Sequence, residues 1–213
     1  MSLYVVTGTD TGVGKTFVTS RVVAELRRAG VDAVGLKPVE TGWSEETSDA
    51  AHLAAASGKR IEDVIWAHFA LPAAPSVAAA AESTSLEVSE LVAWVRTAAG
   101  RHEHCFVEGA GGWMVPMTSD MLFCEVVERL GPAGVILVSA SRLGTINHTL
   151  LTAEAVQRTL PLAAVVLSVR PTDPPAEAAV HMEEISKRLT VPVIEFPRDL
   201  RDLVAMFHVE HQA

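Results

Sequence analysis

Apolar residues along the chain fall into short unbroken runs that alternate with segments of helical spacing. Runs rich in Val, Ile and Leu occupy residues 3–6, 33–36, 105–107, 134–138, 162–167 and 191–196. Such runs are typical of strands that are buried on both faces. The segments between them repeat apolar side chains at helical intervals, as at Val18, Val22 and Leu26, at Leu91, Val95 and Ala98, at Leu122, Val126 and Leu130, and at Leu151, Ala155 and Val156. This alternation predicts an α/β fold with a mostly parallel sheet and helices on both faces.

Glycine and proline mark the ends of several predicted helices. Gly30 ends the first helix, Gly131-Pro132 ends a central one, and Pro174-Pro175 begins a later one. No linker interrupts this pattern, so we expect one domain over residues 1–213. Residues 72–81 combine alanines, which favour a helix, with two prolines, which disfavour it. We expect a loop over the sheet edge there.

Composition narrows the classes of protein that this chain can represent. Hydrophobic residues make up 49% of the sequence, which suits one sizeable core, and the formal net charge of −9 opposes binding to a long nucleic acid. No apolar run is long enough to cross a membrane. The two cysteines lack the spacing of a disulfide framework or a zinc site, so we expect a cytoplasmic protein. His208 and His211 lack a third metal ligand, so we expect them to be solvated residues of the C-terminal tail.

A glycine-rich segment at residues 8–16 follows the first predicted strand and leads directly into a helix. It reads Gly-Thr-Asp-Thr-Gly-Val-Gly-Lys-Thr, with five residues between Gly8 and Gly14 where the usual P-loop has four. Backbone N–H groups of such a loop converge on phosphate oxygens at the positive end of a helix. Lys15 would reach the β- and γ-phosphates, and the Thr16 hydroxyl would bind Mg²⁺. A turn without a ligand would need neither residue, so the segment predicts a P-loop NTPase-like fold.

Charged groups at the ends of other predicted strands are candidates for the same site, because ligands of open parallel sheets bind beyond the carboxyl ends of the strands. Lys37 ends the second predicted strand and would face an anion. Glu108 ends the strand at 105–107 and has the position of a Mg²⁺-binding acid. Asp49 is either a helix cap or a ligand. Residues 143–148 begin a helix whose free N–H groups suit a carboxylate or phosphate, although an ordinary connection would look the same.

Four segments together resemble the dethiobiotin synthetase family. They are the loop at residues 8–16, Lys-Pro-Val-Glu-Thr-Gly at 37–42, Glu-Gly-Ala-Gly-Gly-Trp at 108–113, and Leu-Gly-Thr-Ile-Asn-His at 143–148. The resemblance spans residues 3 to about 160, and the longer spacing within the P-loop is the family's own form. It implies a homodimer with each active site near the subunit interface. The implied reaction joins CO₂ to 7,8-diaminononanoate at the expense of ATP and closes a cyclic urea.

The resemblance also implies roles for individual residues. Lys15, Lys37 and Thr11 would be catalytic, and Thr16, Asp49 and Glu108 would bind Mg²⁺. The nucleotide would contact Gly12, Val13, Gly14, Lys15, Thr16, Phe17 and Pro197. The substrate would contact Thr41, Gly111, Gly144, Thr145 and Asn147, the last three across the dimer interface. Family members commonly carry an Asn-Asp pair that reads adenine, whereas residues 167–175 of this chain have none, so the sequence leaves the preferred base open.

Two other functions stay open on the sequence alone. A nucleotide-dependent switch ATPase of the partition or septum-positioning type shares a similar loop, but it usually carries a further lysine early in that loop, where this chain has Gly8-Thr9-Asp10. Such proteins often bind DNA or membrane through a basic surface, which the acidic charge disfavours. An amidotransferase-type ligase of cobalamin synthesis would need a glutaminase with a cysteine nucleophile, for which this chain has little room.

Overall fold

A seven-stranded sheet forms the centre of the computed structural model, which describes residues 1–44 and 48–208. The strands are β1 Ser2–Gly8, β2 Ala33–Thr41, β3 Ile65–Phe69, β4 His104–Glu108, β5 Gly134–Ala140, β6 Leu162–Ser168 and β7 Val193–Phe196. The helices are α1 Lys15–Arg28, α2 Asp49–Ser57, α3 Pro75–Ala81, α4 Val88–Ala99, α5 Phe123–Leu130, α6 Thr145–Gln157, α7 Pro175–Ser186 and α8 Leu200–His208, with a 3-10 turn at Ile61–Asp63. The strand order is β3-β2-β4-β1-β5-β6-β7, and neighbouring strands pair in parallel.

Helices cover both faces of the sheet, as the alternating pattern predicts. On one face, Val18 and Leu26 of α1 and Phe207 of α8 pack with Val6 of β1. On the other face, α4, α5 and α6 bury apolar side chains against the strands. Successive strand residues point to opposite faces, so the continuous apolar runs follow from burial on both sides. The α/β fold with a parallel sheet is confirmed.

All six predicted strands are present, but one element of the sheet lies outside the predicted set. β3 runs from Ile65 to Phe69 at the sheet edge, and it is short and only partly buried. An edge strand needs no continuous apolar run, because solvent covers one of its sides. Its sequence therefore lacks the pattern by which the buried strands are recognised.

The expectation of a loop over residues 72–81 is wrong for most of that segment. Residues 75–81 form α3, and Pro75 occupies its first turn. Proline is tolerated there, since the first N–H groups of a helix have no partner within the helix and the proline ring fixes a suitable φ. Pro75 thus begins the helix instead of preventing it, and the alanines that follow continue it.

Lys37 lies inside β2, not at its end as the apolar run suggests. The first half of β2 pairs with β4 from Ala33 to Leu36, and its second half continues beside β3. Because Leu36 pairs with Val107, the next residue, Lys37, is level with Glu108 at the end of β4. The strand extends past its central neighbour, which carries Lys37 to the edge where β1 and β4 end.

Within residues 1–44 and 48–208, no helix is long and apolar enough to cross a bilayer. His211, which we expect to be a tail residue, lies outside the described residues.

Candidate active site

The loop between β1 and α1 has the shape expected of a phosphate-binding loop. Gly14 caps α1 with a positive φ of 102°, and its carbonyl accepts a hydrogen bond from the N–H of Val18 at 3.0 Å. A β-carbon at Gly14 would lie 2.6 Å from the Ser168 hydroxyl, so both conformation and space require glycine there. The Val13 side chain is buried among apolar side chains and does not line the cleft over the loop.

Lys15 begins α1 and is almost fully buried, with a relative exposure of 6%. Its Nζ donates a hydrogen bond to the carbonyl of Asp10 at 3.1 Å, so the side chain folds back along the loop. Burial, and after it the nearby charge of Lys37, lowers the pKa of Lys15 to about 8. This ammonium group therefore carries its charge at neutral pH, although its pKa is only slightly higher than that pH.

Lys37 forms the centre of a buried charge cluster. Its Nζ donates to Glu108 Oε1 at 2.6 Å and to Asp49 Oδ2 at 2.7 Å, and the Thr16 hydroxyl donates to the same Glu108 oxygen at 2.7 Å. The Lys37 and Glu108 side chains are 4% and 0% exposed. Burial disfavours the charge of Lys37, but Glu108 and then Asp49 outweigh it and raise the pKa of Lys37. The cluster brings together four elements, namely α1, β2, α2 and β4.

Asp49 joins this cluster from the first turn of α2. The Ser48 side chain caps that helix by accepting the N–H of Ala51 at 3.0 Å, so Ser48 is the N-cap and Asp49 is free to face the site. Burial raises the pKa of Asp49, but Lys37 outweighs it and holds the pKa below its ordinary value. The N-cap of α2 is therefore Ser48, and the Asp49 carboxylate bonds to Lys37 in the charge cluster.

A cleft of about 760 Å³ opens over the P-loop and the charge cluster. Most residues predicted for the site line it, namely Thr11, Gly12, Gly14, Lys15, Thr16, Phe17, Lys37, Thr41, Asp49, Glu108 and Gly111. Lys15, Lys37 and Glu108 all face this one cleft. The sequence prediction of a common site at the strand ends therefore agrees with this geometry.

The remaining predicted contacts lie away from the cleft of this single chain. Pro197 follows β7, behind Phe196, whose ring packs edge to face on Phe17 at 5.2 Å. Gly144 and Asn147 are exposed at the start of α6. Thr145 has a buried side chain, and its N–H donates to the carbonyl of Arg142 at 3.0 Å. These residues do not line the cleft.

Several residues of the site are missing from the sequence prediction. Glu40 and His52 line the cleft, and Arg142 bonds to Asp10 at 2.7 Å beside the P-loop. Arg170, in the segment after β6, donates to the Gly12 carbonyl at 3.0 Å. Glu40 had a usable signal, because an acid inside a buried strand requires partners. The two arginines had none, since long-range contacts of exposed side chains leave no local pattern.

Comparison with known proteins identifies the family. A family model described as an AAA domain matches residues 3–199. An ATP-dependent dethiobiotin synthetase of Anaeromyxobacter dehalogenans (strain 2CP-C) is 44% identical over 80% of this chain and 78% of its own. That of Anaeromyxobacter sp. (strain Fw109-5) is 46% identical over 76% and 74%. The chain belongs to the dethiobiotin synthetase family.

This membership confirms the resemblance seen in the four sequence segments. The chain is therefore a ligase, and the comparisons do not favour the switch ATPase. Solved structures support the fold alone. A hydrogenase maturation factor of Archaeoglobus fulgidus has a TM-score of 0.61 at 12% identity, covering 98% of this chain and 89% of its own. A signal recognition particle receptor of Elizabethkingia anophelis has a TM-score of 0.57 at 17% identity, covering 97% and 65%.

Proposed function

We propose that this chain carboxylates 7,8-diaminononanoate with CO₂ and closes the product to the cyclic urea dethiobiotin, with cleavage of ATP to ADP and phosphate. The observation that carries the proposal is the convergence of two lysines and two carboxylates at one P-loop. Lys15 lines a single cleft together with Lys37, Asp49 and Glu108. The names of the relatives support the substrate and the use of ATP.

The proposed reaction concentrates negative charge, and that determines which groups it needs. One amine of the substrate attacks CO₂ and loses a proton, which leaves a carbamate. A carbamate oxygen then attacks the γ-phosphorus and ADP leaves. The second amine attacks the carbon of this mixed anhydride, phosphate leaves, and the ring closes. Preorganised cations and donors stabilise such charge most effectively in a site that is shielded from water.

Lys15 and Lys37 would supply these cations. Lys15 projects along the P-loop, where the phosphates bind in such loops, and Lys37 approaches from β2. Thr11 and Thr41 line the cleft and would donate their hydroxyls to the carbamate or the γ-phosphate. No covalent nucleophile is needed for this sequence of steps, so the chain's own contribution is positioning and charge.

The residues at the cleft fit a magnesium ion. Thr16, Asp49 and Glu108 offer the oxygen ligands that Mg²⁺ prefers, and Glu108 Oε2 is buried with no hydrogen-bond partner among the described residues. Within the same residues no three His, Cys, Asp or Glu side chains converge as a metal site, so nucleotide oxygens and water would complete the ligand set. When bound, Mg²⁺ would neutralise charge on the β- and γ-phosphates.

The proposal includes a cytoplasmic, single-domain homodimer that binds neither nucleic acid nor membrane. Exposed apolar side chains support a partner surface near α6, notably Leu143 at 97% and Leu151 at 58%. Gly144 and Asn147 lie at the same helix start, and N–H groups there would bind the substrate carboxylate beside the other subunit's cleft. Sedimentation of wild type and Leu143→Asp tests this surface. A wild-type monomer that is fully active would exclude the dimer.

The proposal names the triphosphate but does not depend on which base the nucleotide carries. Phe17 lines the cleft and packs on Phe196, the residue before Pro197, so Phe17 and Pro197 would flank a base bound beyond the P-loop. Residues 167–175 form the segment in which family members carry the adenine-reading pair. An assay with ATP, GTP, CTP and UTP in parallel measures the preference directly.

One assay tests the proposed reaction. The protein is incubated with ¹³C-bicarbonate, Mg²⁺, 7,8-diaminononanoate and each nucleoside triphosphate, and released phosphate and labelled cyclic urea are measured together. We expect equal amounts of the two products and little phosphate release without the diamine. Phosphate release that ignores the diamine, with no labelled urea, would instead indicate a nucleotide-hydrolysing switch.

A further inference from the structure

Glu40 is a buried acid that the proposed reaction does not use. It lies on β2, three positions after Lys37, with a relative exposure of 6%. Burying a carboxylate is costly unless hydrogen bonds or an opposite charge compensate it. The partners of Glu40 therefore indicate what keeps it in place.

Both carboxylate oxygens of Glu40 accept hydrogen bonds from the start of α2. Oε1 accepts the N–H of Asp49 at 2.8 Å, and Oε2 accepts the N–H of Ala50 at 3.0 Å. These are first-turn donors, which have no partner within the helix. The next N–H, that of Ala51, is bonded to Ser48. Two side chains, Glu40 and Ser48, thus satisfy three successive donors. Of these two side chains, Glu40 is the one that belongs to the sheet.

This arrangement fixes the position of Asp49 relative to Lys37. Lys37 and Glu40, the two residues that bond to Asp49, both belong to β2. Glu40 holds the backbone of Asp49, and Lys37 holds its carboxylate at 2.7 Å. Without Glu40, α2 would still pack on β2 through buried residues such as Ala50 and Ala54. The N–H groups of Asp49 and Ala50 would lose their acceptor, and the Asp49 backbone would be held less firmly, while the helix remained packed on the strand.

We propose that Glu40 is a positioning residue that holds Asp49 in place as a metal ligand. This inference rests on the proposed function, since it takes Asp49 as part of the magnesium site. Residues that orient metal ligands commonly change metal affinity by about 10–100-fold when they are replaced. We expect Glu40→Ala to weaken metal binding by roughly tenfold. Glu40→Gln should weaken it less, because the amide oxygen can still accept one of the two N–H bonds.

The experiment measures binding of Mn²⁺, used in place of Mg²⁺, to the protein in the presence of ADP, with free Mn²⁺ followed by electron paramagnetic resonance. The variants are Glu40→Ala, Glu40→Gln, Asp49→Asn and the double variant of Glu40→Ala with Asp49→Asn. The matched control is Glu125→Ala, because Glu125 accepts the N–H of Leu122 at the start of α5 at 2.7 Å and does not line the cleft. We expect normal affinity in the control and no further loss from Glu40→Ala in the Asp49→Asn background.

The outcomes separate this inference from the proposed function. If Asp49→Asn weakens Mn²⁺ binding and Glu40→Ala does not, Glu40 is not a positioning residue. If both losses occur and add in the double variant, Glu40 acts independently of Asp49 and the inference also fails. If Mn²⁺ binding is normal but the KM for the diamine rises in Glu40→Ala, Glu40 contacts the substrate instead. If Asp49→Asn itself has no effect, the proposed metal site is wrong and Glu40 has no ligand to position.

Discussion

Replacing Lys37 by Met tests the charge cluster most directly. The substitution keeps an unbranched apolar stem of similar size and removes the ammonium group. Glu108 then loses the cation at 2.6 Å while its side chain stays fully buried, and its Oε2 has no hydrogen-bond partner within the described residues. The variant should therefore lose both activity and stability.

The size of the stability loss follows from burial. Removing one partner of a buried ion pair costs about 3–5 kcal/mol, because the other charge stays buried and uncompensated. Asp49 adds little to this figure, since its side chain is 40% exposed and water screens its charge. A domain is stable by about 5–15 kcal/mol, so the variant should still fold. With a slope of about 3 kcal/mol/M, the urea midpoint should fall by roughly 1–2 M.

The assay is urea unfolding followed by circular dichroism at neutral pH, together with the product assay. A second variant, Lys37→Met with Glu108→Gln, should recover most of the lost stability, because a neutral amide replaces the uncompensated charge. It should remain inactive. Lys59→Met is the matched control, since Lys59 is exposed. An unchanged midpoint in Lys37→Met, or a double variant no more stable than the single one, would refute the argument from the buried ion pair.

Three further predictions concern other parts of the chain. Burial lowers the pKa of Lys15 to about 8, so the affinity of the protein for ADP without a metal ion should weaken as the pH rises above about 8. Calorimetry should then show that ADP binding takes up a proton. A constant affinity up to about pH 10 would contradict this prediction. The unfolded chain binds more protons from about pH 8 to 10.5, so this group adds stability as the pH rises through that window. Gly14→Ala should cost about 1–3 kcal/mol in a thermal melt, partly restored by Ser168→Gly, because of its φ of 102° and the 2.6 Å approach. Burial raises the pKa of Cys105 to about 12, so a thiol reagent at pH 8 should label Cys124 in the folded protein and Cys105 only after unfolding.

Much of this fold could be predicted because its central strands are buried on both faces. Burial leaves a continuous apolar run in each of these strands, and a P-loop carries its chemistry in consecutive residues. The same reasoning fails at the sheet edge, where β3 is only partly buried, and at α3, where Pro75 begins a helix that it was expected to prevent. Local sequence patterns indicate burial and turns. They are weaker in partly exposed elements, where side chains facing solvent need not be apolar.

The candidate site could be predicted residue by residue but not contact by contact. Lys37 and Glu108 each stand out in the sequence, while their 2.6 Å pairing depends on β2 extending past β4. That extension exists because β3 supplies a second partner for β2, and β3 has no clear sequence pattern. The role of Glu40 likewise depends on the packing of α2 against β2. Pairings of this kind come from the tertiary structure and require it.

An acidic chain can hold a polyphosphate because the relevant charges are local and buried. The net charge of −9 repels anions at long range, but salt screens such effects within about 10 Å. Lys15 and Lys37 act at contact distance, where the surroundings weaken them least. Burial disfavours their charge, as the lowered pKa of Lys15 shows, and Glu108 and then Asp49 outweigh this effect for Lys37. The carboxylates proposed to bind Mg²⁺ therefore also keep Lys37 protonated, so replacing either of them alters the metal site and the cation together.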